Sequence, residues 1–464
     1  MNETRPTKRI LIRSGKSPFD AVPAEGVIHR DLIGTNSGNL VFSDAAHKLL
    51  TLPDTEVVSN GLKADPRAAA RINEEYDVFV IPLANAFRIS FAGSLDRLAR
   101  LIEQLKIPVV VLGVGAQSTL GYDPERLRRI EEPVKRFMKA VLDHSPSVGV
   151  RGEFTQSYLN GLGFRDVEVI GCPSMFLHGP EIRVEKRVDA LTRDSRISVN
   201  ASHSALRTSG EVGRFVTAAW ERYPDLVYIA QNLIDAELMF WGDVSEAAGN
   251  HSTMPIHRTH PLYRENKVRL YSDSATWIKE LSERDFSFGT RIHGNIAALL
   301  AGTPCTVLCH DSRTLELCRY FDIPHRMLTE VPPDVDPADL YEQADFGPLV
   351  KGHPERFERF ASFLDRHGLR NTFTHGDGGA AFDARLRELD LPPAIDVWDG
   401  TDDGRLGYRF SRLRQRDDEA AKKIAELTKR VTTLEKRLAA LERGRSGNAV
   451  VRVGRAVRRR VVRR

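Results

Sequence analysis

The sequence predicts an α/β protein with two Rossmann-like domains, followed by a C-terminal coiled coil. Three observations carry this reading. Short apolar strands alternate with amphipathic helices in two successive blocks. Several strands are continuous apolar runs, such as V-V-V-L at Val109–Leu112, the pattern of parallel strands covered on both faces. The stretch from Phe410 to Leu441 repeats apolar residues at heptad spacing.

The chain has 464 residues, enough for two domains and an extension. Its shares of hydrophobic (41%) and charged (28%) residues are those of a soluble globular protein. It contains no apolar run of about 18 residues, so no membrane span is expected. The start, M-N-E-T-R-P-T-K-R-I, lacks the apolar core of a secretory signal. Cys172, Cys305, Cys309 and Cys318 sit in apolar surroundings and read as reduced packing residues of a cytoplasmic protein. No Cys or His pair has finger-like spacing, so no metal is expected. The net charge is +4, but Ser446–Arg464 holds seven Arg and no acid, and the remainder carries −3. A mildly acidic body argues against nucleic-acid binding.

In the first block, strands read at Lys8–Arg13, Glu56–Ser59, Asp77–Leu83, Pro108–Val114, Ser147–Val150 and Asp166–Ile170. Helices read from the Gly34–Asn39 loop to Leu50 and at Pro66–Glu75, Ser94–Leu105, Pro124–Leu142 and Glu153–Leu162. Gly171–Pro180 and the charged residues after it break the pattern. The second block has strands at Ile197–Ala201, Leu226–Ala230, Val268–Tyr271, Phe286–Phe288 and Cys305–Cys309. Its helices read at Glu211–Arg222, Ala275–Glu283, His293–Leu300, Thr314–Tyr320, Pro337–Ala344 and Pro354–His367. The expected division is 1–180, 181–370, a linker at 371–409 with a flexible break at Thr372–Ala380, a coiled coil at 410–443 and a basic tail at 444–464.

Chemistry concentrates in F-S-F-G-T-R-I-H-G-N-I-A-A-L-L-A-G-T-P-C, Phe286 to Cys305. A strand, a polar turn and a helix set Thr290, Arg291 and His293 at the carboxyl end of a parallel strand, where open α/β sheets bind ligands. The helix start suits an anion, Gly294 admits a ligand close to the backbone, and Asn295 adds an amide. Arg291 grips a carboxylate or phosphate, and His293 moves a proton near neutral pH. The alternative is a surface ion pair for Arg291 and a helix start at His293. Other strand ends supply Asn85, Gln117, Arg151 and His203. Arg151 either faces the cleft or pairs with Glu153, and His203 either faces the cleft or is an ordinary loop residue. Asn36, Gly38 and Asn39 either cradle an anion or simply cap a helix. His251, His257 and His260 fit no metal template and read as incidental.

The segment G-T-R-I-H-G-N-I-A-A-L-L-A-G-T-P resembles the signature of the polysaccharide pyruvyl transferase family: Arg-x-His-Gly after a strand, a small-residue helix, then Gly-x-Pro. Val148–Gly163 and Gly34–Asn39 resemble the family's second Arg-bearing strand and helix and its Asn/Gly loop. The similarity covers roughly Lys8 to Gly368. Ser174, where the family often has Asp, and the absence of a Gly pair near Asn85 depart from the pattern. The resemblance implies a glycosyltransferase-B-like arrangement of the two domains. It also implies transfer of the enolpyruvyl unit of phosphoenolpyruvate to a sugar of a cell-surface polysaccharide or its lipid-linked precursor, forming a ketal. No further cofactor is implied. His293 and Arg291 would be catalytic. Arg151, Thr290, Gly294, Asn295, Asn36, Gly38, Asn39, Asn85, Gln117 and His203 would bind substrate. The rivals are a nucleotide-sugar glycosyltransferase of the same architecture and a non-catalytic coiled-coil scaffold.

In the C-terminal repeat the a positions are Phe410, Asp417, Ile424, Val431 and Leu438, and the d positions are Leu413, Ala420, Leu427, Leu434 and Leu441. β-branched residues at a with Leu at d favour a parallel two-stranded coil, and Arg430 with Glu435 and Arg437 with Glu442 fit as g–e pairs. The expected partner is a second copy of the chain; the alternative is a helix lying on the body. The Val/Arg tail suits either an anionic membrane surface, here the inner face of the plasma membrane, or a solvated tail. RNA is the weaker fit, as the tail has no aromatic residue to stack on bases.

Overall fold

The computed structural model describes residues 8–207, 211–242 and 253–461, with backbone alone at 206–207 and 441–461. It divides into two units, Met1–Trp398 and Asp399–Arg464.

The first unit holds both sheets. Strands β1 (Lys8–Ile12), β2 (Thr55–Ser59), β3 (Val78–Pro82) and β4 (Val109–Leu112) form a parallel sheet in the order β2-β1-β3-β4. A parallel bridge between Val114 and Val150 joins it to the pair β5 (Val148–Val150) and β6 (Val167–Val169). The other sheet contains β7 (Ile197–Asn200), β8 (Val227–Ile229), β9 (Val268–Arg269), β10 (Phe286–Gly289), β11 (Cys305–Cys309) and β12 (His325–Met327). Its order is β12-β11-β10-β7-β8-β9, all parallel. The apolar runs legible in the sequence are these strands. Val109–Leu112 and Cys305–Cys309 are buried throughout because helices cover both faces. In each sheet the strand order reverses once, between β1 and β3 and between β7 and β10. Such a switch point leaves a crevice at the carboxyl ends of the two strands.

Three expectations need correction. The helix predicted from Pro354 starts at Gly347 and runs to Arg366 with Pro354 inside it. It does not stay with the second sheet. Arg366 pairs with Glu168, His367 Nε2 lies 3.1 Å from the Ser147 carbonyl, and Lys8 donates to the Gly368 carbonyl at 2.6 Å. The pattern of an amphipathic helix tells that one face is buried, not against which sheet. The supposed linker is also structured up to Trp398. Asn371 caps the helix Thr372–His375, Phe382 is buried in the helix Ala380–Arg387, and Lys48 pairs with Asp383 at 2.7 Å. The Ile395 amide then donates to Leu270 and that of Trp398 to Met239. Widely spaced apolar anchors among Gly and Asp disguised this stretch as a flexible break. Unpredicted elements include β12 and the helix Leu233–Trp241, which starts from an Asn232/Asp235 capping box.

The second unit is dominated by one helix, Leu406–Val461, which continues through the basic segment expected as a separate tail. Phe410, Ile424, Leu427, Val431, Leu434 and Leu438 are all exposed on it. Among the described residues no helix is long and apolar enough to cross a membrane.

Phe176, fully buried, joins the two halves of the first unit. Its ring lies 5.6 Å from Phe321, 5.7 Å from Phe357 and 4.9 Å from Phe360, centroid to centroid. Phe176→Ala is expected to destabilise the first unit by about 3–5 kcal/mol, the usual cost of such a cavity, read from the urea midpoint.

Candidate active site

Both switch points open onto one cavity of about 440 Å³. Its second-sheet wall is built by Asn200 at the end of β7. Asn200 Oδ1 accepts from the Arg291 amide at 2.8 Å, and its carbonyl accepts from the Thr290 amide at 3.0 Å. Gly289, at φ 141, is required there, since a Cβ would stand 1.8 Å from the Asn200 carbonyl oxygen. The turn is tied further by Thr290 Oγ1, which accepts from the Ser202 amide at 2.7 Å, and by Arg291 Nε, which donates to the Ala201 carbonyl at 3.1 Å. Arg291 is thereby aimed before the helix Ile292–Leu300 begins, with His293 in its first turn.

The Asn/Gly loop closes another side. The Ser37 amide donates to the Gln231 carbonyl at 2.8 Å and the Leu233 amide to the Thr35 carbonyl at 3.1 Å. Asn39 Nδ2 donates to the Ile33 and Gly34 carbonyls at 2.9 and 3.0 Å. From the first sheet come Arg151, Asn85 and Gln117. Arg151 is buried; its Nε lies 3.4 Å from the Gly113 carbonyl oxygen, and its Nη2 has no partner among the described residues. Gly115 makes room for it, because a Cβ there would meet Arg151 Cδ at 2.4 Å. Asn85 donates to Gln117 at 2.8 Å, Gln117 donates to Asp311 at 3.1 Å, and Arg313 donates to Asp311 at 2.7 Å.

Arg13, Arg88, Arg151, Arg291 and Arg313 all line the cavity, and among the described residues its lining contains no carboxylate. Three acids stand behind three of these arginines. Asp311 pairs with Arg313, while Asp235 and Glu316 act on Arg291 and Arg151. Glu316 accepts from the Thr155 amide at 2.7 Å, and burial pushes its carboxyl up to about 7. Burial, Arg151 and Arg313 push the His293 imidazole down to about 3, so the free protein holds it neutral. Its Nε2 lies 3.6 Å from Cys172 Sγ, which accepts from Ser174 Oγ at 3.1 Å, and its ring packs 5.5 Å from Phe42. Ser174, the departure from the family pattern, therefore reaches the histidine through Cys172.

Of the residues singled out in the sequence, Asn36, Asn39, Asn85, Gln117, Arg151, His203, Thr290, Arg291 and His293 line this cavity. Gly38, Gly294 and Asn295 do not. Asn295 is fully buried beneath the turn and spends its amide on the Gly289 and Arg291 carbonyls. Gly294 yields space to Gln231 and Asn200, and Gly38 to Asn36 and His293, rather than to a ligand. Arg151 does not take Glu153 as its partner; Cys172, Glu316 and Asp311 are the acidic groups acting on it. His203 Nε2 lies 3.4 Å from Asp235 Oδ1. His257 and His260 make local contacts to Thr259 and the Leu262 amide, and His251 lies outside the described residues. Sequence reasoning missed Arg13, Arg88, Arg313 and Cys172. The signal was present for the three arginines, since each follows a strand's carboxyl end as Arg151 and Arg291 do. Among the described residues no group of three His, Cys, Asp or Glu could hold a metal.

The fold is a doubly wound α/β one whose crevice is rich in arginine and holds a neutral histidine. The family follows from the sequence match. The model of the polysaccharide pyruvyl transferase family matches residues 36–312, and the chain belongs to that family and is a transferase. No curated protein matches the sequence. Among solved structures, Anabaena HepE in complex with UDP-glucose is similar at 12% identity and a TM-score of 0.39, covering 82% of this chain and 100% of its own. The UDP-GlcNAc 2-epimerase of Methanocaldococcus jannaschii shows 10% identity, TM-score 0.37 and coverage of 82% and 99%. An uncharacterised protein of Klebsiella pneumoniae shows 11% identity, TM-score 0.36 and coverage of 68% and 89%. At these scores the likenesses carry no argument about this chain.

An anion bound in the cavity is expected to raise the His293 pKa and so to draw in a proton. Sulfate, which does not titrate in this range, tests this at pH 5, where Glu316 is already protonated. Calorimetry in buffers of different ionisation heat is expected to show proton uptake by the wild type and its loss in His293→Asn.

Proposed function

We propose that the protein transfers the enolpyruvyl unit of phosphoenolpyruvate to a sugar and closes it into a pyruvate ketal. The observation that carries this reading is that Arg151, Arg291 and Arg313 line one cavity with a neutral His293, and that among the described residues no carboxylate lines it. Phosphoenolpyruvate has a carboxylate and a phosphate, and three guanidiniums with fork-shaped donors suit both groups. Its negative charge offsets the two arginines that add to burial in holding His293 neutral, so the imidazole becomes protonated only when donor is bound. His293 then gives its proton to the methylene carbon, and a sugar hydroxyl adds to the oxocarbenium-like carbon. That hydroxyl's proton returns to His293. A second hydroxyl displaces phosphate and loses its own proton, which leaves with the phosphate, and the ketal closes. An adjoining cavity of about 740 Å³, which shares Arg88, Ser90, Gln117 and Ser204 with the first, has room for the acceptor.

The same reading extends to assembly. The exposed stripe Ile424, Leu427, Val431, Leu434 and Leu438 has the spacing of a parallel two-stranded coil, and Arg430 and Glu435 complement the same residues of a second copy. The chain is proposed to work as a homodimer through the heptad repeat at 410–443.

Two measurements test this. Phosphate release from phosphoenolpyruvate is expected to depend on a sugar acceptor and to fall about 10²–10⁴-fold in His293→Ala; unchanged turnover in the variant contradicts the role given to His293. Stabilisation by a nucleotide sugar, with none by phosphoenolpyruvate, would instead favour a glycosyltransferase. Light scattering is expected to give a dimer mass for the wild type and a monomer for Val431→Asp/Leu434→Asp.

A further inference from the structure

Two of the five cavity arginines have no part in the scheme above. Arg13 directly follows β1, and Arg88 follows β3 by a short loop, so both stand at the switch point of the first sheet. That is the carboxyl-edge crevice where doubly wound sheets take ligands. Arg291 and His293 occupy the equivalent crevice of the second sheet, and the two crevices share one cavity.

Among the described residues no carboxylate pairs with Arg13 or Arg88, whereas an acid acts on each of the other three arginines. Among the described residues the Arg13 guanidinium makes no hydrogen bond or ion pair; its recorded contact is with the Phe91 ring, 5.8 Å from the centroid. Arg88 lies 5.2 Å from the same ring and is held by the Asn85 carbonyl and, at 3.0 Å, by Ser90 Oγ, with no carboxylate. Burial and mutual repulsion push Arg13 down to about 10, and burial with Arg313 and Arg151 does the same to Arg88. Partly buried cations without a counter-charge are costly, and an anionic ligand removes that cost. The cavity is also larger than phosphoenolpyruvate alone requires.

We propose that Arg13 and Arg88, set against Phe91, form a second anion site on the first-sheet wall of the cavity. It holds the diphosphate of a diphosphate-linked sugar acceptor while phosphoenolpyruvate occupies Arg151, Arg291 and Arg313. A diphosphate diester carries two negative charges, one for each guanidinium. The sugar beyond it would extend into the adjoining cavity, which Arg88 and Ser90 also line. Naming the ligand an acceptor rests on the pyruvyl-transfer reading; the anion site itself does not.

The test is a titration of inorganic pyrophosphate into the full chain saturated with phosphoenolpyruvate. Pyrophosphate is expected to bind alongside it, and Arg13→Gln/Arg88→Gln to weaken that binding at least about tenfold. Affinity for phosphoenolpyruvate should stay within about twofold, because its three arginines remain. Arg13→Lys/Arg88→Lys, which keeps the charge, should retain most of the pyrophosphate binding and serves if the Gln variant does not fold. Displacement of phosphoenolpyruvate by pyrophosphate in the wild type, or wild-type pyrophosphate binding by a folded Gln variant, would overturn the proposal. Pyrophosphate binding that needs Arg13 and Arg88 in a chain that ignores phosphoenolpyruvate would uphold the site and remove the pyruvyl reading. A kinetic arm identifies the carrier by comparing one sugar on a short polyprenyl diphosphate, on a nucleoside diphosphate and as a nitrophenyl glycoside. The Gln variant should raise KM for the diphosphate-linked forms alone; an equal rise for the glycoside counts against the assignment.

Discussion

The constraint on which this site depends is the burial of several guanidiniums around one cavity. Five arginines line it, and among the described residues no carboxylate does. Bringing such charges together out of water is unfavourable unless something compensates them. The fold compensates three from behind, through Asp311 against Arg313, Asp235 near Arg291 and Glu316 near Arg151. Because these acids sit behind the arginines, the cavity surface stays positive. Burial, with Arg151 and Arg313, keeps His293 neutral.

The backbone around the site holds these arginines in place. Asn200 fixes the turn carrying Arg291, Gly289 permits the close approach of the two strand ends, and Asn295 fills the space beneath. Arg151 is held in a slot that Gly115 leaves open, close to the buried Glu316. The helix Gly347–Arg366 and the stretch through Trp398 tie the two sheets into one unit, so the two walls of the cavity belong to a single body.

Much of this was legible in the sequence. The parallel strands announced themselves as apolar runs because both of their faces are covered. The Arg-x-His-Gly turn was legible because a strand, turn and small-residue helix can place those side chains only at a sheet's carboxyl edge. Arg13, Arg88 and Arg313 were harder, since an arginine after a strand is common and only the meeting of two sheets shows which ones share a cavity. Asn295 misled for the opposite reason: an amide beside the Arg-x-His-Gly turn looks like a ligand contact but is spent on the turn. The structured stretch 371–398 was hidden because its anchors, Phe373, Phe382 and Ile395, are too far apart to make a periodic signal.

The central claim is that this cavity protonates and transfers an enolpyruvyl unit. The most direct measurement runs the reaction with phosphoenolpyruvate and a sugar acceptor in deuterated water and inspects the product by carbon NMR. The account predicts a sugar bearing a quaternary ketal carbon and a methyl group that has gained one solvent deuterium. An acceptor that gains no pyruvate carbon, or one that retains the intact methylene of the enol, would contradict it.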